Sequence, residues 1–394
     1  MKKLKCIITL CGMISFTAVW SADDLKNEFN PLLTGVPSLT IAPDARGGSL
    51  GDSGVATDPD MASQYWNPAK YAFAYSKAGL QLSYTPWLRQ LVNDIYLAYL
   101  SGYYKLGNED RQAIGASLRY FSIGEITMTD DTGTGYLGTI SPYEMALDLS
   151  YSLKLSERFS GAVAFRFIHS DLGTGLTGST ADLRPGNSFG VDIAGFYSSY
   201  VMMGRDECLL GLGFNISNIG PKISYDEGNT ANFLPTNLRL GASFLFPLDD
   251  YNTLSLNLDA NKLLVPTPPN TQGITNSHEI DSIRNEYKAI SPVTGIFRSF
   301  GDAPGGAKEE FQEISWSFGA EYSYDQKFFV RGGYFYESPN KGNRQYFSIG
   351  AGFKLNVFQL DAAYLVSTVP SNPLDQTLRF SLVFDMDGLK GLVR

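Results

Sequence analysis

The chain has 394 residues, 31 of them Lys or Arg and 40 Asp or Glu, so charged residues make up 18% and the net charge is -9. That is short of the roughly 25% charge of an ordinary soluble domain, while aromatic residues reach 13%. The acidic balance excludes a sequence-independent grip on nucleic acid, which needs a basic face to displace counterions, and no run beyond the N-terminus reaches the roughly 18 apolar residues of a membrane helix.

In chain order, Met1 to Lys5 is basic, Ile7 to Val19 is apolar, and Val19 and Ser21 supply small residues at a cleavage site. Residues 1–22 therefore read as a secretory signal peptide, cut near Ser21 or Ala22. Two of the three cysteines fall inside it, so the exported chain keeps Cys208 and no intrachain disulfide is expected. Cys208, at the start of a strand pattern, reads as a small buried apolar residue. Residues 23–76 lack strand alternation and carry Gly and Asx clusters, as in Ala45 to Ala56, Asp58-Pro59-Asp60 and Asn67-Pro68-Ala69. These suit tight turns, and the segment is expected to be an N-terminal periplasmic hatch or plug that folds into a lumen.

From residue 77 to 385 the pattern changes to alternation with period two. In the stretch 143–155, Tyr143, Met145, Leu147, Leu149, Tyr151, Leu153 and Leu155 are apolar and the residues between them small or polar. One face is greasy and the other wet. Thirteen more segments read alike: 78–87, 93–105, 111–122, 159–171, 187–201, 208–218, 237–246, 252–262, 313–324, 328–336, 345–355, 358–368 and 376–384. Each has the ten-residue scale that crosses a bilayer at a tilt, and fourteen is even, as a closed bacterial barrel requires. The expected fold is all-β, a 14-stranded antiparallel transmembrane β-barrel of the bacterial outer membrane.

Connections test that expectation independently. Short ones, such as Ser156-Glu157-Arg158 and Asp325-Gln326-Lys327, alternate with long ones, so the two kinds fall on opposite sides. Outer-membrane barrels have tight periplasmic turns and long external loops, which puts both termini in the periplasm and leaves 386–394 as a periplasmic tail. The polar parity faces inward: Arg119, Arg166, Arg239, Arg331 and Arg379 alternate with Glu144, Asp148, Asp192, Asp259, Glu321 and Asp361. Near balance of sign favours a self-neutralising filling over a charge-selective pore.

The 23–76 region also carries a resemblance. An Ala-Arg-x-x-x-x-Gly block, a Gly-Val-Ala, an Asp and an aromatic-Asn-Pro-Ala ending are similar to the N-terminus of FadL-like outer-membrane proteins, with Arg46, Gly47, Gly51, Asn67 and Pro68 at the motif positions. Within that superfamily the chain resembles the PorV family of the type IX secretion system. The resemblance spans essentially the whole mature chain and is carried by the opening Asn27 to Gly48, by Gln64-Tyr65-Trp66-Asn67-Pro68-Ala69-Lys70-Tyr71, and by Tyr84-Thr85-Pro86-Trp87-Leu88. The family implies fourteen strands, an N-terminal hatch and a task. Its members receive secreted cargo from a large outer-membrane translocon, grip a folded C-terminal signal domain, and deliver it to a surface sortase complex that attaches it to lipopolysaccharide. One departure is that Phe384 closes the last strand with Asp385 to Arg394 still to follow, where many barrels end on the aromatic residue.

Partners would meet the external loops. The longest, 263–312, brings Ile290, Val293, Ile296, Phe297 and Phe300 close together, and apolar residues on an exposed loop mark an interaction patch. Ile296, Phe297 and Phe300 are the first candidates for cargo contact, with Tyr136 and Leu137 of the loop 123–141 the weaker ones; the competing reading is that they fold back and cap the barrel.

Sharper motifs dissolve. Gly133 to Gly138 matches a dinucleotide fingerprint, but a strand follows where a helix is required. His169 and His278 lack a second ligand at metal spacing. A hydrolase needs a base within reach of a serine and an acid, and only His169 lies near a strand. No catalytic residue, cofactor or metal is expected, and the protein is not expected to be an enzyme. The rival to cargo handling is FadL-like transport of hydrophobic small molecules across the outer membrane, which needs a continuous apolar path past the hatch.

Overall fold

In the computed structural model, residues 29–386 are described, apart from 89–93, 108–109, 130–134, 174–183, 205, 227–230, 270, 272–275 and 371–373. The expected signal segment 1–22 and residues 387–394 of the expected tail lie outside the described residues.

Fourteen strands form the wall: β1 (Ala78–Pro86), β2 (Tyr96–Leu106), β3 (Gln112–Ser122), β4 (Tyr143–Lys154), β5 (Phe159–Asp171), β6 (Gly186–Met203) and β7 (Asp206–Ile219), then β8 (Asn237–Pro247), β9 (Asn252–Leu263), β10 (Ile314–Tyr324), β11 (Phe328–Tyr336), β12 (Gln345–Leu355), β13 (Phe358–Ser367) and β14 (Leu378–Asp385). Each pairs antiparallel with its neighbours, and β1 closes on β14 with Leu82 opposite Leu382. Closure leaves no edge strand, so the wall's hydrogen-bond ladders are made within the protein, as hydrocarbon demands. No boundary departs from the alternation-based reading by more than three residues.

Side chains obey the period. On β4, Leu147, Leu149 and Tyr151 point out, while Asp148, Ser150 and Ser152 are buried in the lumen. A belt of rings runs around the outer ends of β1 to β5: Tyr84, Tyr96, Tyr120, Tyr143 and His169 follow one another at 5.6, 6.1, 5.5 and 5.7 Å. Amphipathic rings at this level mark the membrane–water interface.

The lumen is filled by the N-terminal segment, which folds into short helical turns at Pro37–Thr40, Ala45–Ser49, Ser63–Trp66 and Pro68–Phe73. One expectation is corrected here. The first described residues of the segment lie at the outer mouth and not on the periplasmic side: Asn30 donates its backbone N–H to Asn340 O (2.9 Å) in the external β11–β12 connection, and Gly35 donates to Phe233 O (2.8 Å) in the external β7–β8 connection. The physical reason is apolar burial. Val36 and Leu39 complete a cluster with Ile168, Ile223 and Leu234 at the outer mouth, and water would be the alternative for them.

Alternation also leaves some elements unannounced. The loop after β3 folds into a hairpin of Ile126–Thr129 with Tyr136–Ile140, so the stretch ending at Gly138 runs into a strand of that hairpin. A short bridge joins Ile223–Ser224 to Ala231–Asn232. Among its described residues the longest loop carries three helices, α1 (Ser277–Ala289), α2 (Pro292–Arg298) and α3 (Ala307–Gln312).

Candidate functional site

The hatch is assembled from its turn residues outward. Asp44 caps the turn Ala45–Ser49, accepting from Gly47 N (2.7 Å) with one oxygen and from Trp66 Nε1 (2.7 Å) with the other. Gly47 leaves the space that Trp66 fills, since a Cβ there would lie 2.4 Å from the indole. Asn67 caps Pro68–Phe73 through Ala69 N (3.0 Å), with Pro68 at the first position where its fixed φ suits the turn. The Asn67 amide then donates to Val55 O and to Gly195 O on β6, both at 3.0 Å. Arg46 donates to Asp60 and Glu321, each at 3.0 Å, and to Asp58 O. Gly51 has φ +70 and lies against the backbone of β11, where a Cβ would meet Tyr334 N at 2.7 Å.

The five inward arginines are buried, as are the six inward acids. Arg166 bridges Asp148 (2.6 Å) and Asp192 (3.1 Å). Arg331 bridges Glu321 (2.5 Å) and Asp361 (2.6 Å). The others hold the hatch: Arg119 donates to Ser38 O (2.6 Å), Arg239 to Tyr65 O (3.0 Å), and Arg379 to Asp52 (2.5 Å). Asp259 accepts from the backbone N–H groups of Gly54 and Val55 at 2.7 and 3.0 Å. Buried charges persist only when compensated this way. Below the hatch, a vestibule of about 710 Å³ lined by residues such as Arg46, Asp60, Ser198, Glu321 and Gln359 opens on the side of the short turns.

A signal for the hatch that the sequence reading passed over is glycine at inward parity. Gly213 on β7 faces Gly241 on β8, and Gly319 on β10 faces Gly333 on β11. A Cβ would meet hatch backbone at 2.5 Å (Val55 O) from Gly213, 2.7 Å (Leu50 O) from Gly319 and 2.1 Å (Gly51 N) from Gly333, and from Gly241 it would meet Val55 Cβ at 2.9 Å. Paired inward glycines mark where another backbone runs along the wall.

At the outer face, the long loop is fixed at its base and bare at its crown. Lys262 on β9 binds Glu310 (3.0 Å) and Glu313 (2.6 Å), and Lys341 binds Glu309 (2.6 Å) and Glu313 (3.0 Å). Hydrogen bonds from Lys341 and from Gly305 N outweigh burial and hold the Glu309 carboxyl below its usual value. Asp302 is pushed the other way by burial, despite accepting from Thr267. Above this base, Gly295 of α2 is buried and packs toward Pro266 and Phe233, and Ile296 is half-buried. Phe297 and Phe300 are instead 75% and 56% exposed, joined by exposed Val293 and Phe311. The loop thus both covers the mouth and presents aromatic side chains beyond it. Helix α1 buries no residue. Tyr136 is 70% exposed on the separate β3–β4 hairpin; Leu137 lies in that hairpin, its side chain outside the described set.

His169 faces outward in the aromatic belt, its Nδ1 2.8 Å from Asn187 Oδ1 and its Nε2 3.3 Å from the Tyr143 hydroxyl. His278 stands in the first turn of α1, and Cys208 is buried on β7. Among the described residues no three His, Cys, Asp or Glu side chains converge as a metal site.

Against known proteins, the family model described as type IX secretion system protein PorV matches residues 24–270, more than half of the chain. No curated protein matches. Similar solved structures include the toluene transporter TodX of Pseudomonas putida, at 12% identity and a TM-score of 0.48, over 90% of this chain and 98% of that one. A FadL homologue of Pseudomonas aeruginosa matches at 11% and 0.44, over 90% and 99%. The toluene transporter TbuX of Ralstonia pickettii matches at 11% and 0.46, over 86% and 97%.

Proposed function

The chain belongs to the PorV family of type IX secretion system proteins, and from that premise we propose that it grips the folded C-terminal signal domain of secreted cargo at the translocon and hands it to a cell-surface sortase complex. The protein is an outer-membrane component of that secretion system, and the carrier role builds on that. In it the protein is a non-enzymatic carrier with no cofactor.

The observation that carries the reading is the outer face: Phe297 and Phe300 stand bare on a loop whose base is held by buried ion pairs. Exposed aromatics on a rigid support are what a protein partner uses as anchors, because they bring large apolar area at little entropic cost. The lumen supports the same reading. Transport of apolar molecules along the barrel axis needs an apolar path, whereas here the hatch is hydrogen-bonded to wall residues from Ser101 on β2 to Ser381 on β14, and the vestibule beneath it includes buried charges.

The test is affinity purification of the tagged full-length protein from native outer membranes, wild type against a variant with Ile296, Phe297 and Phe300 changed to Ser. The wild type is expected to bring down secreted proteins that share a C-terminal domain, and the variant to lose them while the barrel stays folded. Full cargo recovery by the folded variant would refute the docking assignment.

A further inference from the structure

We propose that the polypeptide threads the barrel from its outer mouth inward, so that the strap ahead of the hatch is a cell-surface element that clasps the long loop. The path can be followed bond by bond. Phe29 is 66% exposed, and Asn30 is tied to three outer segments: its N–H to Asn340 O (2.9 Å), and its side-chain amide to Pro268 O (3.4 Å) and Glu309 Oε1 (3.2 Å). Gly35 reaches Phe233 O, and Ser38 N reaches Glu144 near the outer end of β4. Farther along, Ala45 N binds Ser381 on β14, Gly54 N binds Asp259 on β9, and Ala69 O accepts from Ser160 at the inner end of β5. Lys77 then accepts from Lys105 N (2.8 Å) at the periplasmic end of β2, where β1 begins. Residues 29–77 therefore run the full height of the barrel.

The clasp is a single junction of remote segments. Glu309 accepts from Asn30 of the strap and from Lys341 of the β11–β12 connection, and Lys341 continues to Glu313 and so to Lys262. Hatch, long loop and a second external loop are joined there by charge-assisted hydrogen bonds, which are the stronger kind. Two consequences follow. The hatch cannot leave toward the periplasm without first pulling the strap off the outer face. Conversely, a partner that shifts α3 pulls on the hatch. Leu33 of the strap, 67% exposed, and Phe29 also add to the bare apolar side chains of the outer face.

This inference stands apart from the cargo reading and is tested on the full chain in living cells. Phe29→Cys is treated with a membrane-impermeant maleimide, beside Glu286→Cys on α1 as an exposed outer control and Gln326→Cys in the β10–β11 turn as an inner one; native Cys208 is buried. Phe29→Cys is expected to label on intact cells as fully as Glu286→Cys. Labelling only after permeabilisation, like Gln326→Cys, would overturn the proposal, and failure at both Phe29 and Glu286 would overturn it together with the barrel's orientation. The clasp is read separately with the pair Asn30→Cys and Asn340→Cys. Mild oxidation is expected to crosslink them, and a folded barrel with no crosslink would refute the clasp. If Phe29→Cys does not accumulate, Leu33→Cys serves at the same face.

Discussion

The lumen and the outer loop use the same residue types to opposite ends. In the lumen, Arg166 lies between Asp148 and Asp192, and the hatch backbone presents its carbonyls and N–H groups to wall charges. Among the described residues of the loop, ion pairs gather at the base, and α2 and its end leave Phe297 and Phe300 facing water. Where a surface is permanently covered, each polar group must find its partner inside the chain, because an unpaired one costs full desolvation. Where a surface is covered only by another molecule, apolar side chains can wait exposed at modest cost. The lumen is covered by the chain's own hatch, and the crown of the loop is left bare.

The sharpest way to break the contrast is to remove a luminal charge. Arg166→Ala strands Asp148 and Asp192 and is expected to cost ~3–5 kcal/mol, read as a lower urea midpoint of the folded barrel. Gly51→Ala forces a Cβ onto backbone at φ +70 and is expected to cost ~1–3 kcal/mol; protease access to the hatch should rise while the wall stays paired. Asn67→Ala removes the cap of Pro68–Phe73 and two further hydrogen bonds, a loss of ~1–2 kcal/mol by the same urea assay. On the other side of the comparison, Phe297→Ser with Phe300→Ser should leave the midpoint within ~0.5 kcal/mol yet lower cargo recovery by about tenfold or more, as for aromatic hot spots. A luminal-sized loss of stability from that pair would erase the distinction.

Acid gives the smallest effect. The Glu309 carboxyl sits below its usual 4.5 in the fold, working against burial through its bonds to Lys341 and Gly305 N. Its contribution is therefore present above 4.5 and lost as pH falls through the lowered folded value. The base of the loop should become more open to proteolysis in that window, before the wall unfolds.

Alternation made the wall legible strand by strand, because a residue facing lipid and a residue facing the lumen cannot be exchanged. The inward parity of Arg119, Arg166, Arg239, Arg331 and Arg379 came from the same rule, and all five are buried. The helix α1 was passed over: Ile280, Ile283 and Tyr287 recur at helical spacing and are its half-buried residues, but so thin an apolar stripe stands out little in a mixed charged stretch. The bareness of Phe297 beside the half-burial of Ile296 was equally hidden: they are consecutive on α2, a helix that packs toward Pro266 and Phe233 through Gly295.

What the sequence determined by itself is the barrel, its strand number and its inward charges, because periodicity is a local property that a bilayer reads residue by residue. Family membership is legible there too, in the opening block Asn27 to Gly48, and the family model matches residues 24–270. Only the tertiary structure decided which partner each charge takes and the direction in which the hatch runs. Those depend on contacts such as Asn30 with Glu309 and Asn340, 279 and 310 residues away along the chain. No local pattern encodes them, since they arise when closure of the wall brings distant segments to one mouth.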